Sequence, residues 1–322
     1  MKIGVLLFNL GGPETLRDVK PFLYRLFSDP EIVRIKWGPL RKALAYTIAT
    51  VRRRTSEGYY RQIGGGSPLR RLTEEQALAL ARELKARGRD VETFVGMCTW
   101  HPLLEEAIGK IAESGVDSLV ILPLFPQYSV TTTGSGFSAL RKLIDKRPEF
   151  KKIHVQWISS WPDHPVYIDA LVQAIQPELA KTPNPGKAHI LFSAHSVPES
   201  YVRKGDPYLE QTKRTVELIM DRLLRTNPYS LSFQSKIGPV KWLQPFTNDV
   251  IVQLGKDGVD DVLVVPISFV SEHVETLYEL DILYKKVAQK AGVENFRRVP
   301  ALNSAPMFIR ALADMVENAL EL

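Results

Sequence analysis

The sequence has very little cysteine. Cys98 is its only one, so a single chain can form neither an internal disulfide nor a zinc or iron–sulfur site made of cysteines alone. CxxC and HExxH patterns are absent, which argues against a permanently held structural or hydrolytic zinc ion. The glycine-rich segments NLGGPE and IGGGSP lack the full GxGxxG and GKS fingerprints. Nucleotide binding is therefore not the favoured function.

Long apolar runs are also absent. The longest, such as GVLLFNL and SLVILPLF, are shorter than the roughly 20 residues that a membrane-spanning helix needs. Met1 is followed directly by a predicted strand, with no signal-peptide pattern, so we expect a cytoplasmic protein. A chain of 322 residues that is 44% hydrophobic and 24% charged is long enough for about two well-cored domains.

A net charge of +6 permits an acidic small molecule, an anionic membrane or a nucleic acid as partner. No known motif organises this charge for nucleic acid, so we expect no nucleic-acid partner. The segment 41–54, RKALAYTIATVRRR, combines a basic end with an apolar helical stripe formed by Leu40, Leu44, Ile48 and Val51. This pattern indicates an amphipathic helix that either makes peripheral contact with a membrane or packs on its own domain.

The chain contains an internal repeat at an offset of 143 residues. Residues 105–129 align with 248–272, which superposes Gly115 on Gly258 and Pro123 on Pro266. Each copy is typical of a helix, a glycine turn and a buried strand. The repeat indicates a duplicated architecture.

Eight predicted strands alternate with amphipathic helices, which is typical of parallel sheets covered by helices on both faces. The predicted strands are 3–8, 92–97, 118–122, 153–158, 188–193, 230–234, 262–266 and 295–299. The expected fold is α/β, with two similar doubly wound parallel-sheet domains of the Rossmann or flavodoxin type facing a central cleft. We expect them at 1–180 and 188–322, joined by the Pro/Gly-rich segment KTPNPGK.

Polar side chains follow three strands of the second half. His195, Ser235 and the segment 272–275 come after the strands at 188–193, 230–234 and 262–266. If the first and third of these strands are neighbours, as in the flavodoxin order, His195 and the acidic segment share one edge of the sheet. A histidine facing a carboxylate supports acid–base chemistry or transient binding of a divalent metal such as iron(II), zinc or cobalt(II).

Glu272, Glu275 and Glu279 recur at i, i+3 and i+7, the spacing that places side chains along one face of an α-helix. Two interpretations stay open from the pattern. Ser271 could cap a solvated helix whose acidic first turn offsets the helix dipole, or the stripe could be functional.

Several motifs resemble those of the ferrochelatase family, in the same order and at similar separations. They are NLGGPE, YRQIGGGSP, LPLFPQYSVTTTGS, LFSAHSVPESYVRKGDPY, FQSKIGP and FVSEHVETLYELD. The resemblance covers essentially the whole chain. It implies a chelatase-type fold of two similar domains around a porphyrin cleft, and it implies insertion of Fe(II) into protoporphyrin IX with release of two protons.

The resemblance assigns roles to the residues of the second half. His195 and Glu275 resemble the metal-binding pair, which face each other across the porphyrin plane. Glu272, His273 and Glu279 resemble an acidic path beside them that carries protons away or iron in.

Six further residues are candidates for porphyrin binding. Arg53, Arg54 and Ser235 resemble groups near the propionates, Tyr128 is a candidate for the apolar rim, and Cys98 and Thr99 occupy positions that touch the macrocycle face. Animal relatives carry a basic and an aromatic residue in place of Cys98 and Thr99, so substrate geometry or metal preference can differ.

The resemblance implies porphyrin and ferrous iron as partners, with iron as a substrate, so we expect no tightly bound cofactor. We also expect no iron–sulfur cluster, because the cysteine-bearing extension of some family members is lacking. Coproporphyrin III is the alternative substrate. A chelatase of the sirohydrochlorin type would carry a histidine in place of Glu275. A non-catalytic haem or iron carrier on the same fold is the alternative from another class.

Overall fold

The computed structural model describes residues 1–33, 35–236, 238 and 240–321. Two positions of the FQSKIGP motif, Ile237 and Pro239, and the last residue of the predicted second domain, Leu322, lie outside the described residues. The chain forms two compact units. The first contains 1–125, 129–160 and the residues from 312 onward, and the second contains 126–128 and 161–311.

The first unit is built on a parallel sheet of four strands in the order β2-β1-β3-β4. The strands are β1 (Ile3–Asn9), β2 (Val91–Met97), β3 (Ser118–Pro123) and β4 (His154–Trp157). The helices are α1 (Val19–Ser28), α2 (Gly38–Gln62), α3 (Leu69–Ala86), α4 (Leu104–Glu113) and α5 (Ser135–Asp145), the last preceded by a π-helical turn at Val130–Gly134. Short 3₁₀ turns lie at Leu16–Asp18 and Pro148–Lys152.

The second unit repeats this topology, with strand order β6-β5-β7-β8 and all strands parallel. The strands are β5 (His189–His195), β6 (Tyr229–Gln234), β7 (Asp261–Pro266) and β8 (Asn295–Arg298). The helices are α6 (Pro165–Ala180), α7 (Glu199–Val202), α8 (Tyr208–Arg222), α9 (Thr247–Lys256), a π-helix at Glu275–Tyr284, α10 (Lys285–Ala291) and α11 (Pro306–Leu320). Helix α11 begins in the second unit, and its residues from 312 onward belong to the first. All eight predicted strands are present, and the predicted α/β fold with two similar parallel sheets is confirmed.

The internal repeat is reproduced in the element boundaries. Adding 143 to the first and last residues of α4 and β3 gives those of α9 and β7. Gly115 and Gly258, at the turns between them, both have left-handed backbone conformations, with φ of +68° and +73°. Glycine adopts this conformation without steric cost, which explains its presence in both copies. The likeness extends further, because a π-helical segment follows the third strand of each sheet.

Burial on both faces explains why the central strands are continuous apolar runs. In the first unit, Leu6 and Leu119 belong to a core that also contains Ile108 of α4. In the second, Leu191 and Val264 pack in a core with residues of α9 and of the π-helix. The π-helix that carries Glu275 and Glu279 therefore contributes side chains to the second core.

The division into units differs from the predicted boundary at 181–187. Helix α6 belongs to the second unit, where Tyr167 packs against Trp161 and Phe308 at ring-centroid distances of 4.8 and 6.3 Å. The residues from 312 onward belong to the first unit, where Arg87 contacts Asp314 at 2.6 Å. A Pro/Gly-rich composition predicts a loop at 181–187. The packing of side chains decides which of the two cores the neighbouring helix belongs to.

The two glycine-rich segments of the first unit pack against each other. Ser67 N donates to the carbonyl of Pro13 at 2.7 Å. A Cβ at Gly66 would lie 2.0 Å from the carbonyl oxygen of Glu14, and one at Gly12 would lie 2.6 Å from Ser67 Oγ. Close approach of the two loops therefore requires these glycines.

Candidate active site

His195 and the acidic segment lie at the same edge of the second sheet. His195 is the last residue of β5, and β5 pairs directly with β7, as expected for the flavodoxin order. The loop that follows β7 therefore emerges beside His195. The carboxyl edge of a parallel sheet at such a point is where α/β proteins bind ligands.

His195 and Glu275 form a direct hydrogen bond, with 2.8 Å between Nδ1 of the imidazole and Oε2 of the carboxylate. The histidine backbone is held on both sides, because its N–H donates to Ser268 Oγ and its carbonyl accepts from Tyr208 Oη, each at 2.8 Å. A macrocycle cannot lie between two atoms this close. The expectation that the pair face each other across a porphyrin plane is therefore wrong for this structure.

Each partner changes the pKa of the other. Burial alone lowers the pKa of His195, but the Glu275 carboxylate outweighs it and holds that pKa above its ordinary value. Burial likewise raises the pKa of Glu275, and the imidazolium outweighs it in the opposite direction, so this pKa is lowered. In the hydrogen bond between them, Nδ1 of His195 is the donor and the Glu275 carboxylate is the acceptor. Neutral His195 therefore keeps its proton on Nδ1 and carries its basic lone pair on Nε2.

Glu279 is the second carboxylate of the site. Its Oε2 accepts from Ser235 Oγ at 2.6 Å and from Gln234 Nε2 at 3.1 Å. Burial, together with the neighbouring charge of Glu275, raises the pKa of Glu279 to about 7. Glu279 can therefore accept and release protons near neutral pH. Ser235, predicted beside a propionate, uses its hydroxyl to hold Glu279, and a propionate contact stays a prediction.

A buried chain of hydroxyl groups fixes the orientation of Gln234. Ser193 Oγ donates to Gln234 Oε1 at 2.6 Å and contacts Thr247 Oγ1 at 2.8 Å, which in turn contacts Ser232 Oγ at 2.9 Å. Since Oε1 is occupied as an acceptor, Nε2 is presented to Glu279 and to the carbonyl of Glu275. This role of Gln234 was not predicted from the sequence. The available signal was polar residues inside buried strands, in ILFSAH and SLSFQ.

Glu272 does not share a stripe with Glu275 and Glu279. It precedes the π-helix, and its carboxylate accepts from Arg298 Nη1 at 2.8 Å, from the Ala301 N–H at 2.9 Å and from the Thr276 hydroxyl. Burial raises the pKa of Glu272, but Arg298 and these donors outweigh it and lower that pKa. The prediction of a three-glutamate face is wrong because the segment does not begin an α-helix at Glu272.

His273 lies beside the pair and packs on Phe269, with 4.5 Å between ring centroids. Its Nδ1 lies 3.1 Å from the carbonyl oxygen of Ser271, which can only accept, so Nδ1 carries the proton. Burial lowers the pKa of His273, and the ring is neutral at neutral pH. Phe269 also contacts His195, at 6.3 Å between ring centroids, and was not predicted as a site residue.

Among the described residues, no group of three or more His, Cys, Asp and Glu side chains is arranged to hold a metal ion. His195 and Glu275 together offer one imidazole nitrogen and one carboxylate. Their role as metal ligands stays a prediction.

Four of the predicted porphyrin contacts belong to the first unit. Arg53 and Arg54 are exposed on α2, and Arg53 Nε pairs with Glu57 at 2.6 Å. Cys98 is partly buried against the core, and burial and then Asp29 raise the pKa of its thiol to about 12. Thr99 is 4% exposed, and its hydroxyl donates a hydrogen bond to the Leu10 carbonyl at 2.6 Å. This bond stabilises the loop that follows β1 in the same unit.

Tyr128 belongs to the second unit. It is partly exposed, and its backbone N–H donates to Gln211 Oε1 at 2.7 Å. Contacts of Tyr128, Arg53, Arg54 and Cys98 with a porphyrin stay predictions.

Comparison with solved structures gives the class of fold. SirB from Bacillus subtilis, in a structure with Fe³⁺, matches with a TM-score of 0.57 over 99% of this chain and 96% of its own, at 12% sequence identity. A second SirB structure, a sirohydrochlorin chelatase in complex with cobalt, matches with a TM-score of 0.55 over 100% and 96%. The fold is that of the chelatases.

Sequence comparison gives the family. The family model described as Ferrochelatase matches residues 2–320. A ferrochelatase of Synechococcus elongatus is 52% identical over 321 residues, and one of Synechocystis is 51% identical over 320. Each match covers 99% of this chain and 83% of the relative. The chain belongs to the ferrochelatase family.

Proposed function

We propose that this protein inserts Fe(II) into protoporphyrin IX, forming protohaem and releasing two protons. The observation that carries the proposal is the hydrogen-bonded pair of His195 and Glu275 at the carboxyl edge of the second sheet, in a chain of the ferrochelatase family. Iron is a substrate of this reaction, so the proposed chemistry needs no resident cofactor.

The residue types suit the expulsion of two pyrrole protons. Neutral His195 can accept a proton on Nε2, and the resulting imidazolium is stabilised by Glu275 through the 2.8 Å bond. Glu279, with a pKa of about 7, can accept or relay the next proton. A flat macrocycle keeps its nitrogen lone pairs in the ring plane, so a site that binds a bent porphyrin better than a flat one lowers the barrier.

The same histidine nitrogen is the one available to iron. With Nδ1 bonded to Glu275, both a proton and a metal ion must use the lone pair of Nε2. One lone pair binds only one of them at a time. The proposed roles of His195 as metal ligand and as base are therefore sequential, and iron must leave Nε2 before a proton reaches it.

The first experiment follows the absorbance of protoporphyrin IX with Fe(II) and purified protein without oxygen. We expect many turnovers per protein molecule and a faster initial rate with protoporphyrin IX than with coproporphyrin III. At most one turnover would indicate a haem or iron carrier. A large preference for the porphyrin with four carboxylates would make coproporphyrin III the substrate.

A second proposal concerns an apolar face of α2, formed by Leu40, Leu44 and Val51. These side chains are 49%, 38% and 74% exposed, whereas α2 packs on its unit through a different face that includes Ala45 and Ala49. Helix α2 does pack on its own domain, as one of the two alternatives expected, but Leu40, Leu44 and Val51 of the predicted stripe stay exposed and only Ile48 is partly buried. No helix in the described part of the chain is long and apolar enough to cross a membrane.

We infer that this face rests on an anionic membrane surface, with the cytoplasm as the proposed location. Basic residues occur along the same helix, at Lys42 and at 52–54, and such side chains are attracted to anionic lipid headgroups. Trp37, 64% exposed where the helix begins, adds an aromatic group suited to the interface between water and lipid.

Vesicle co-sedimentation tests this surface. We expect Leu44→Glu with Val51→Glu to weaken binding to anionic phospholipid vesicles by about tenfold or more, because apolar area is lost and negative charge is added. Leu78→Glu on α3 is the matched control, since Leu78 is 58% exposed on another helix of the same unit. Equal binding by the double variant and the wild type would contradict the inference.

A further inference from the structure

Arg298 bonds to two carboxylates on either side of the site residues. At the end of β8, its Nε and Nη2 donate to both carboxylate oxygens of Asp281 at 2.7 Å, and its Nη1 donates to Glu272 at 2.8 Å. Glu272 precedes the π-helix and Asp281 lies in its second half. Glu275 and Glu279 lie between these two points in the sequence.

The segment that follows β8 adds further bonds to the same place. The Ala301 N–H donates to the Glu272 carboxylate at 2.9 Å, and the Glu272 N–H donates to Asn303 Oδ1 at 3.0 Å. Thr276, in the first turn of the π-helix, donates its hydroxyl to the other oxygen of Glu272. The start of the helix is thus tied to residues 298–303 through Glu272, whose carboxylate accepts from Arg298 and Ala301 and whose N–H donates to Asn303.

The length of the π-helix explains why such ties matter. π-Helical geometry is rare and usually limited to a single turn, whereas this π-helix runs for 10 residues. Its N-cap residue, Val274, makes no side-chain capping bond. The bonds from Arg298, Ala301 and Asn303 are contacts from outside the helix that can hold its wide turns in register.

We propose that Arg298 is a positioning residue for iron insertion, which holds Glu275 and Glu279 in place by binding Glu272 and Asp281 at once. The inference rests on the proposed function and deepens it. Arg298 acts through the helix that it holds, and its guanidinium is already occupied by two carboxylates and by the Val299 carbonyl.

The planar guanidinium is what this arrangement requires. One edge of the planar guanidinium, formed by Nε and Nη2, donates two parallel hydrogen bonds to Asp281, and the third nitrogen, Nη1, donates to Glu272. A lysine ammonium at this position keeps the charge but cannot reproduce these three directed bonds. Arg298→Lys should therefore fall between the wild type and Arg298→Met in activity.

The burial of the three side chains predicts a graded series. Arg298 and Glu272 are 9% and 12% exposed, so removing the arginine leaves a buried carboxylate without its counter-ion. Asp281 is 37% exposed, and Asp281→Asn loosens the second half of the helix while the pair of Arg298 and Glu272 persists. Asp281→Asn should fold even if Arg298→Met does not.

The test measures kcat and KM for porphyrin and Fe(II) in these variants. We expect kcat to fall by about 100-fold in Arg298→Met and by about tenfold in Asp281→Asn, with KM for porphyrin unchanged, because displacement of reacting groups by about 1 Å has effects of this size. Arg298→Lys should recover part of the loss.

Arg87→Met is the matched control for lost stability. Arg87 is a partly buried arginine of the first unit that binds Glu83, Asp314 and Glu317, so its removal also breaks an ion-pair cluster. We expect this variant to keep the wild-type kcat at a temperature where circular dichroism shows all variants folded. Wild-type kcat in Asp281→Asn, or equal losses in Arg87→Met and Arg298→Met, would overturn the proposal. Failure of the proposed function would instead appear as no turnover by the wild type.

Discussion

Replacing His195 with alanine is expected to lower the rate of iron insertion by at least about 100-fold, because the substitution removes the proposed base and its contribution to catalysis is of this order. The imidazole is partly exposed at the end of a strand, so the fold should survive. The measurement is the initial rate of protoporphyrin consumption with Fe(II), together with the thermal unfolding temperature of each protein.

His189→Ala is the control for this prediction. His189 begins the same strand, is partly buried and bonds to Ser230 Oγ at 2.9 Å, six residues before His195. We expect His189→Ala to keep nearly full activity. Full activity in His195→Ala would remove His195 from the mechanism, and equal losses in both variants would indicate damage to β5 rather than to the chemistry.

Replacing Glu275 with glutamine is expected to lower the rate of insertion nearly as much, by about 30-fold or more, because glutamine cannot stabilise the imidazolium that forms when His195 accepts a proton. The change preserves the shape of the side chain, removes its charge and replaces one acceptor oxygen with an NH2 donor. Glu294→Gln, an exposed position after α10, is the matched control and should have the wild-type rate.

The residual activity of Glu275→Gln should also respond to pH in a defined direction. His195 must be neutral to accept a proton, so wild-type activity falls as the pH drops through a His195 pKa that Glu275 holds above its ordinary value. Without the Glu275 carboxylate, burial is opposed only by the weaker effect of Glu279, and the pKa of His195 falls. The pKa of Glu279 falls as well, since the charge of Glu275 raises it in the wild type.

The acidic limb of the pH profile should therefore move to lower pH in Glu275→Gln. The profile of kcat against pH, measured for both proteins in one buffer series, tests this. An acidic limb that stays in place, or that moves to higher pH, would show that the interaction between His195 and Glu275 does not control the protonation that lowers activity at acidic pH.

The position of His195 was predictable because strand ends in parallel α/β sheets are local features with a fixed relation to function. The central strands followed from apolar runs, and the duplication followed from the repeat of Gly115 and Pro123 at Gly258 and Pro266. The exposure of Val51 and the hydrogen-bond partners of Gln234 could not be predicted from the sequence. Helical periodicity gives the spacing of a stripe and leaves open which face meets the core.

The acidic segment 272–279 shows most clearly what the sequence determined and what the tertiary structure decided. The sequence by itself determined that three glutamates and a histidine follow the buried strand β7, that the strands alternate with helices, and that the motifs are those of the ferrochelatase family. Only the tertiary structure decided that Glu275 bonds to His195 while Glu272 turns to Arg298. The physical reason is that each buried carboxylate is stabilised by the cation or donor nearest in space, and those partners lie 80 and 26 residues away along the chain.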